Sequence, residues 1–509
     1  MHNFLKMTGG AKVAHRSAVH NIAWNYIGYV YRVGINLALT AYIVRHVSVV
    51  EYGLFMFITS LSASLCFLDF GLSSILVQAY VERASQPDSN HLNELISTVF
   101  LALAALGTVG VFFSVIFAAI LPGPFNIPSA NAHEASIICI VAALVVQVTL
   151  PGIALEQAYQ AWHRFDRVNQ IQVLTSTIQI ALSVSALAAG YGIVALAVVQ
   201  LVSSALRLLL LAVGLPNSVP QARLSLRQFN RSLLIPLIGL SKWAFLNNLG
   251  VFLFDLLAWT LLGSLASMRE AAIFGLANKL PDQLWNMIDK GANVALPFLS
   301  RSSAEGDLAS LQRTYLMTQK FLFGAVLPFV VLGSVAAQPL IEVWAESQYA
   351  DAAMVMQYLL LGTISHAAGY SSNQLLYACG EVKKATKITL WEYILSIVIA
   401  LPLIHRFGAS GLAAGMMTAQ LLINFGWLTR AACAFSQITP RNLLRFVMDG
   451  LSWPLVVLFA ESLIIWSISS HLPPSLIVMT ALLSGCIYLG VWGIRTALPL
   501  YRGQTEIIA

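Results

Sequence analysis

The sequence predicts an all-α polytopic membrane protein with about fourteen transmembrane helices: two parallel six-helix lobes plus two extra C-terminal helices. Three observations predict it. Of the 509 residues 58% are hydrophobic and only 10% charged, and no polar stretch is long enough to form a separate soluble domain. Apolar segments of the ~20 residues that a bilayer core requires recur along the whole chain. Basic residues, finally, fall on one side: with the N-terminus inside, the cytoplasmic side collects 21 of the 28 Lys and Arg, Arg207 among them. The outer loops hold three (Arg45, Arg269, Arg406) and the helices four (Arg32, Lys242, Lys279, Lys290). This asymmetry sets both segment number and orientation, with both termini cytoplasmic. The net charge of +6 is therefore a topology signal rather than a nucleic-acid footprint.

Helix 1 (residues 20–44) follows a basic tail and has no small-residue cleavage site, so it is expected to remain as a start-transfer helix. Asn21, Asn25, Tyr29, Arg32 and Asn36 lie at spacings of 4, 4, 3 and 4, which puts them on one face. That face is roughly 80° wide, and the rest of the turn is aliphatic. A charge at bilayer depth costs about 2.5 kcal/mol or more, so Arg32 is expected to face a protein-lined cavity. Helix 2 (52–80) aligns Ser62, Asp69 and Ser73; helices 3 (94–121) and 4 (135–158) flank the longest outer loop, 122–134. Helices 5 (168–189) and 6 (192–214) are joined by a tight turn at Tyr191-Gly192.

The Pro-, Ser- and Arg-containing stretch 215–231 reads as a cytoplasmic linker between an N-terminal lobe (1–214) and a C-terminal lobe (232–433). Echoes support this division. Tyr52-Gly53-Leu54 matches Phe274-Gly275-Leu276 at an offset of 222, Tyr159 matches Tyr377 at 218, and Tyr191-Gly192 matches Phe407-Gly408 at 216. An even number of helices per lobe makes the repeats parallel, and a site is expected at their interface.

In the second lobe, helix 7 (232–262) aligns Ser241, Asn248, Asp255 and Trp259, with Lys242 about 100° from that face. Helix 8 (271–299) carries the strongest stripe: Lys279, Asp282, Gln283, Asn286, Asp289, Lys290 and Asn293 within an arc of roughly 120°. Lys279 with Asp282, and Asp289 with Lys290, could equally form local pairs. Helix 9 (316–341) precedes helix 10 (352–378), which aligns His366, Tyr370, Asn373 and Tyr377. On helix 11 (386–404) Glu392 lies between Trp391 and Tyr393 and reads as interfacial. Gly411 and Gly415 on helix 12 (408–433) make a packing motif. Helices 13 (446–469) and 14 (475–494) form, with the tail, a terminal appendage over 434–509.

All five cysteines lie in or at the end of apolar segments and their number is odd, which argues against a disulfide framework or metal cluster. Phosphate-loop, HExxH, GxSxG and paired-cysteine motifs are absent, and short outer loops leave little room for a catalytic platform. The expectation is a transporter, not an enzyme, with no cofactor or metal.

The stretch Asn25 to Arg32, Glu51-Tyr52-Gly53-Leu54 and Leu68-Asp69-Phe70-Gly71-Leu72 resemble the polysaccharide flippases of the Wzx type. Their superfamily also holds multidrug MATE antiporters and lipid II flippases. The resemblance implies a V-shaped pair of six-helix lobes, alternating access, and an undecaprenyl-pyrophosphate-linked oligosaccharide as cargo for O-antigen, capsule or exopolysaccharide. It implies a bacterial inner-membrane location, with the bilayer, a polysaccharide polymerase and a chain-length regulator as partners and no nucleic acid. Arg32 occupies the place of a cation that meets the pyrophosphate. Lys242, Lys279 and Lys290 extend this set through their stripes, with Asn25, Asn36, Asn248 and Asn286, beside Asn373, Trp259 and Tyr370, as sugar contacts. Asp69, Asp255 and Asp282 are the candidates for ion coupling. The rival readings are a MATE-like antiporter for cationic drugs, which would want a net negative cavity, and a membrane-embedded polysaccharide polymerase or ligase.

Overall fold

The motif Ser48-x-x-Glu51 starts a helix as its chemistry requires. The Ser48 backbone N–H donates to Glu51 Oε2 (2.8 Å) and the Glu51 N–H to Ser48 Oγ (3.3 Å), a capping box that satisfies two otherwise orphaned donors. Such helices make up the regular structure in the computed structural model, which describes residues 31–64, 69, 71–84, 90–125, 127–219, 222–225, 227–468 and 472–492; among them there is no strand. Two units are resolved, Met1–Leu256 and Leu257–Ala509.

The first unit contains α1 (31–46), α2 (Val49–Ser64), α3 (Ser73–Ala84), α4 (Asn90–Ile120), α5 (Ala132–Ala161), α6 (Phe165–Ala188), α7 (Ile193–Ser218) and most of α8 (Arg231–Leu265). Helix 2, expected to be continuous over 52–80, is divided into α2 and α3. The reason lies in the intervening turn: Gly71 has φ +73°, a left-handed conformation that ends a helix, and Asp69 caps the helix that follows. The core of this unit gathers Leu76, Tyr80, Ile96, Leu103, Leu155, Tyr159 and Leu211 from α3, α4, α5 and α7. Outward faces carry exposed Phe112, Phe113 and Val213, as lipid-facing surfaces do.

Part of the linker is strapped to the first turns of α4. Asn93 Oδ1 accepts the Arg223 N–H (2.6 Å), Ser97 Oγ that of Ser225 (2.9 Å) and Thr98 Oγ1 that of Asn230 (3.0 Å). The Asn230 amide donates to Glu94 Oε1 (2.8 Å). Ser97 and Thr98 are fully buried, so this part of the linker is fixed by polar groups at a helix start.

The second unit contains α9 (Met268–Ala277), α10 (Lys279–Glu305), α11 (Leu308–Val335), α12 (Ala337–Ala345), α13 (Ala352–Ala378), α14 (Val382–Gln420), a π-helical segment Leu421–Leu428, α15 (Thr429–Phe435), α16 (Pro440–Ile468) and α17 (Pro474–Trp492). The tight turn expected at Phe407-Gly408 falls inside α14. Gly408 has φ +54° and ψ −129°, and the Glu270 carboxylate accepts the next N–H, that of Ala409, at 2.7 Å. A Cβ at Gly408 would strike that carboxylate. Beyond the turn, Gly411 and Gly415 let helix 12 approach the backbone of Ala400 and Leu403 in helix 11, the packing role that GxxxG implied. Helices α16 and α17 share one core with α10, α11 and α13, through Leu451, Ile465 and Tyr488 against Leu299, Tyr315 and Leu332. They are thus integral to the second unit.

By length and composition seven helices among the described residues can cross a membrane, or eight if a bent α16 is one span. Val382–Phe435, one of these seven, runs through the Gly408 turn and so holds helices 11 and 12. The amphipathic α10 is not among them because charged and amide side chains occupy one of its faces.

Candidate functional site

In the first unit Arg32 lies half-buried on α1, and Asn36 is exposed one turn on, its carbonyl accepting from Thr40 Oγ1 at 2.9 Å. Asn21, Asn25 and Tyr29 lie outside the described residues. A second arginine joins this site. Arg207, counted on the cytoplasmic side in the sequence, sits eleven residues before the end of α7, which runs on to Ser218 rather than ending at 214. At 1.5 Å per residue this is roughly 16 Å in from the helix end. Its Nη2 pairs with Glu156 Oε1 of α5 at 2.7 Å, and Arg32 lies within electrostatic range of the same carboxylate. One turn further along, the Tyr159 hydroxyl donates to the Leu211 carbonyl (2.9 Å), keeping α5 and α7 in register.

Asp69 is buried and its oxygens are engaged locally. Oδ1 accepts the Gly71 N–H (2.8 Å), and Oδ2 accepts the Ser73 hydroxyl (2.6 Å) and N–H (3.4 Å). This is the cap of α3. On α8, Asp255 is exposed, while the side chains of Ser241, Lys242 and Asn248 lie outside the described set.

The second unit brings the stripe of α10 against that of α13. Asp289 Oδ1 meets His366 Nε2 at 3.0 Å, and the His366 ring stacks on Trp285 with centroids 4.3 Å apart and planes 6° from parallel. Trp285 Nε1 in turn donates to Thr363 Oγ1 (3.1 Å). Asn293 Oδ1 accepts from the Gln374 amide (2.8 Å) and from the Tyr370 hydroxyl (3.5 Å), and the Asn373 amide donates to Thr389 Oγ1 (3.3 Å). Asp289, which the sequence offered to Lys290 as a local partner, thus engages a histidine from another helix. Lys279 lies within electrostatic reach of Asp282, whose side chain also accepts from Gln283 (3.2 Å) and whose carbonyl accepts from the Asn286 amide (2.8 Å). Asp282, Asn286, Lys290 and Asn293 are exposed. Between them these groups offer neutral donors and acceptors, an aromatic wall and charges of both signs.

Two expectations are corrected by burial. Trp259, expected to offer a face to sugar, is only 8% exposed and packs edge-on against Phe274, with centroids 5.5 Å apart. Glu392, read as interfacial, is equally buried and hydrogen-bonds Asn424 of the π-helical segment, because α14 turns it inward rather than toward the headgroups. Glu156 was missed outright: a single carboxylate near a helix end carries no signal until the partner helix is known.

A family model described as a polysaccharide biosynthesis protein matches residues 43–354, more than half of the chain. The chain belongs to that family. The matched stretch of this polysaccharide biosynthesis protein holds Asp69, Glu156, Arg207 and the α10 stripe, while Arg32 and His366 fall outside it. No curated protein matches the sequence. Among solved structures, the lipid II flippase MurJ in an inward closed conformation is similar with TM-score 0.71 at 12% identity, over 93% of this chain and 99% of that one. An inward-facing multidrug resistance MATE transporter of the MOP superfamily gives TM-score 0.65 at 15% identity, over 82% and 95%. A MOP transporter from Pyrococcus furiosus, described as having reversed polarity in its binding pocket, gives 0.54 at 15%, over 83% and 96%. The fold is that of the MOP transporters, and the protein is a multi-pass membrane protein.

Proposed function

We propose that this protein is a flippase that moves an undecaprenyl-diphosphate-linked oligosaccharide from the cytoplasmic to the periplasmic leaflet of a bacterial inner membrane, by alternating access, for surface polysaccharide synthesis. The observation that carries the reading is membership of the polysaccharide biosynthesis family over residues 43–354, joined to a transporter fold. The chemistry supports it. A sugar needs many neutral partners and aromatic faces, which Asn286, Asn293 and Tyr370 supply in the second unit; a diphosphate needs cations, which Arg32 supplies in the first unit and Lys279 and Lys290 in the second. By the sequence pattern, Lys242 and Asn248 on α8 are assigned to the cations and the neutral partners respectively. Interior-negative potential assists outward passage of an anionic headgroup by about 2.3 kcal/mol per charge per 100 mV. Asp255 and Asp282, exposed on their helices, are the better placed carriers for any coupled ion, with Asp69 the third.

The test uses Lys290→Glu, which sets a carboxylate beside Asp289 and turns attraction of an anion into repulsion at a site screened less than bulk water. At equal expression, surface polysaccharide is expected to fall severalfold while tolerance to cationic drugs is unchanged. Unchanged polysaccharide with altered drug tolerance would favour a cation antiporter instead.

A further inference from the structure

We infer that Glu156 is an internal stand-in for the substrate's diphosphate: it occupies Arg207, beside Arg32, when the headgroup is absent and yields to it when an anionic prenyl diphosphate binds. The inference rests on the flippase reading and adds Arg207 to its anion site. Four observations support it. The Arg207–Glu156 contact is short, 2.7 Å, yet both side chains remain reachable, 29% and 22% exposed. Arg207 Nε is buried with no hydrogen-bond partner, so its guanidinium, a planar fork of five donors, is left with unfilled capacity. Glu156 also lies in electrostatic range of Arg32, so a second cation acts on the same carboxylate. Finally, the buried Tyr159–Leu211 hydrogen bond fixes α5 to α7 independently, so that the ion pair can open without parting the helices.

A diphosphate presents more charge and more acceptor oxygens than one carboxylate and fits the arginine fork in two-point fashion. It therefore displaces Glu156, and the displaced carboxylate is then repelled by the bound headgroup. The Glu156 carboxylate keeps Arg207 paired, which spares an uncompensated charge inside the bundle.

The experiment measures binding of farnesyl diphosphate, and separately of inorganic diphosphate, to the full-length protein in lipid nanodiscs, with thermal stability recorded for each variant. Removing the competitor in Glu156→Gln is expected to tighten farnesyl diphosphate binding about tenfold, on the scale of one partly buried charge pair. Arg207→Ala is expected to weaken it by a similar factor and Arg207→Lys by less, since a point charge replaces only part of the fork. Inorganic diphosphate should follow the same ranking at lower affinity; if it binds as tightly as the lipid, a free diphosphate is the ligand and the lipid assignment falls. If Glu156→Gln and Arg207→Ala lower stability but leave affinity unchanged while Arg32→Ala weakens it, the pair is a structural clamp: this inference fails and the flippase reading stands. A wild-type protein that binds no farnesyl diphosphate would defeat both.

Discussion

Asp69 accepts hydrogen bonds from Gly71 and Ser73, and this use of a buried carboxylate can be separated from ion coupling by substitution. An asparagine keeps an acceptor at the cap, whereas alanine removes it at about 1 kcal/mol. Asp69→Asn is therefore expected to retain surface polysaccharide export, and Asp69→Ala to lower the melting temperature of the purified protein. Loss of export in a stable Asp69→Asn protein would assign the coupling role instead. At this scale the sequence was partly legible. Periodicity alone placed Asp282, Asn286, Asp289 and Asn293 on one face of a helix, and His366 and Tyr370 on one face of another. It could not reveal that Asp289 meets His366 or that Arg207 meets Glu156, because such pairs depend on which faces of distant helices pack together. Trp259 and Glu392 were misplaced for the same reason: amphipathic side chains serve equally at an interface or in a packed interior until the neighbour is known.

Among elements, the apolar segments were readable because each must satisfy its backbone internally and cover a bilayer's thickness. What escaped was the break of helix 2, where hydropathy is continuous but Gly71 adopts a positive φ and Asp69 a cap. The linker was recognised by its polarity, yet its attachment to Asn93, Ser97 and Thr98 was not, since a hydroxyl at a helix start gives no sign of the strand of chain that it will bind. That strap is testable. In Ser97→Ala/Thr98→Val two buried acceptors are lost, at about 1 kcal/mol each. Trypsin cleavage at the exposed Arg223 and Arg227, followed in inverted membrane vesicles, is expected to accelerate about tenfold or more as the segment opens. An unchanged rate would show that the strap does not hold the linker closed.

For the whole molecule, the expectation that both termini are cytoplasmic rests on the count of basic residues, and it keeps its sign when Arg207 is taken out of the cytoplasmic tally, since the rest of that tally still far outnumbers the three expected outside. Reporter fusions in the 222–230 linker and at Ala509 are both expected to report the cytoplasm; a periplasmic signal from either breaks the fourteen-helix topology. The physical case for lipid-linked cargo joins family membership to a wall of neutral donors in the second unit and paired arginine chemistry in the first. Its most direct test is transport itself. Proteoliposomes holding the purified protein and a prenyl-diphosphate-linked oligosaccharide labelled on the sugar can be treated with a membrane-impermeant glycosidase that trims only the outer leaflet. Protein-free vesicles should leave about half of the label protected, because spontaneous crossing of so polar a headgroup is slow. With the protein present that protected pool is expected to become accessible, and Arg32→Ala should restore protection. A protected pool that stays unchanged in vesicles with folded, correctly inserted wild-type protein would contradict the flippase account.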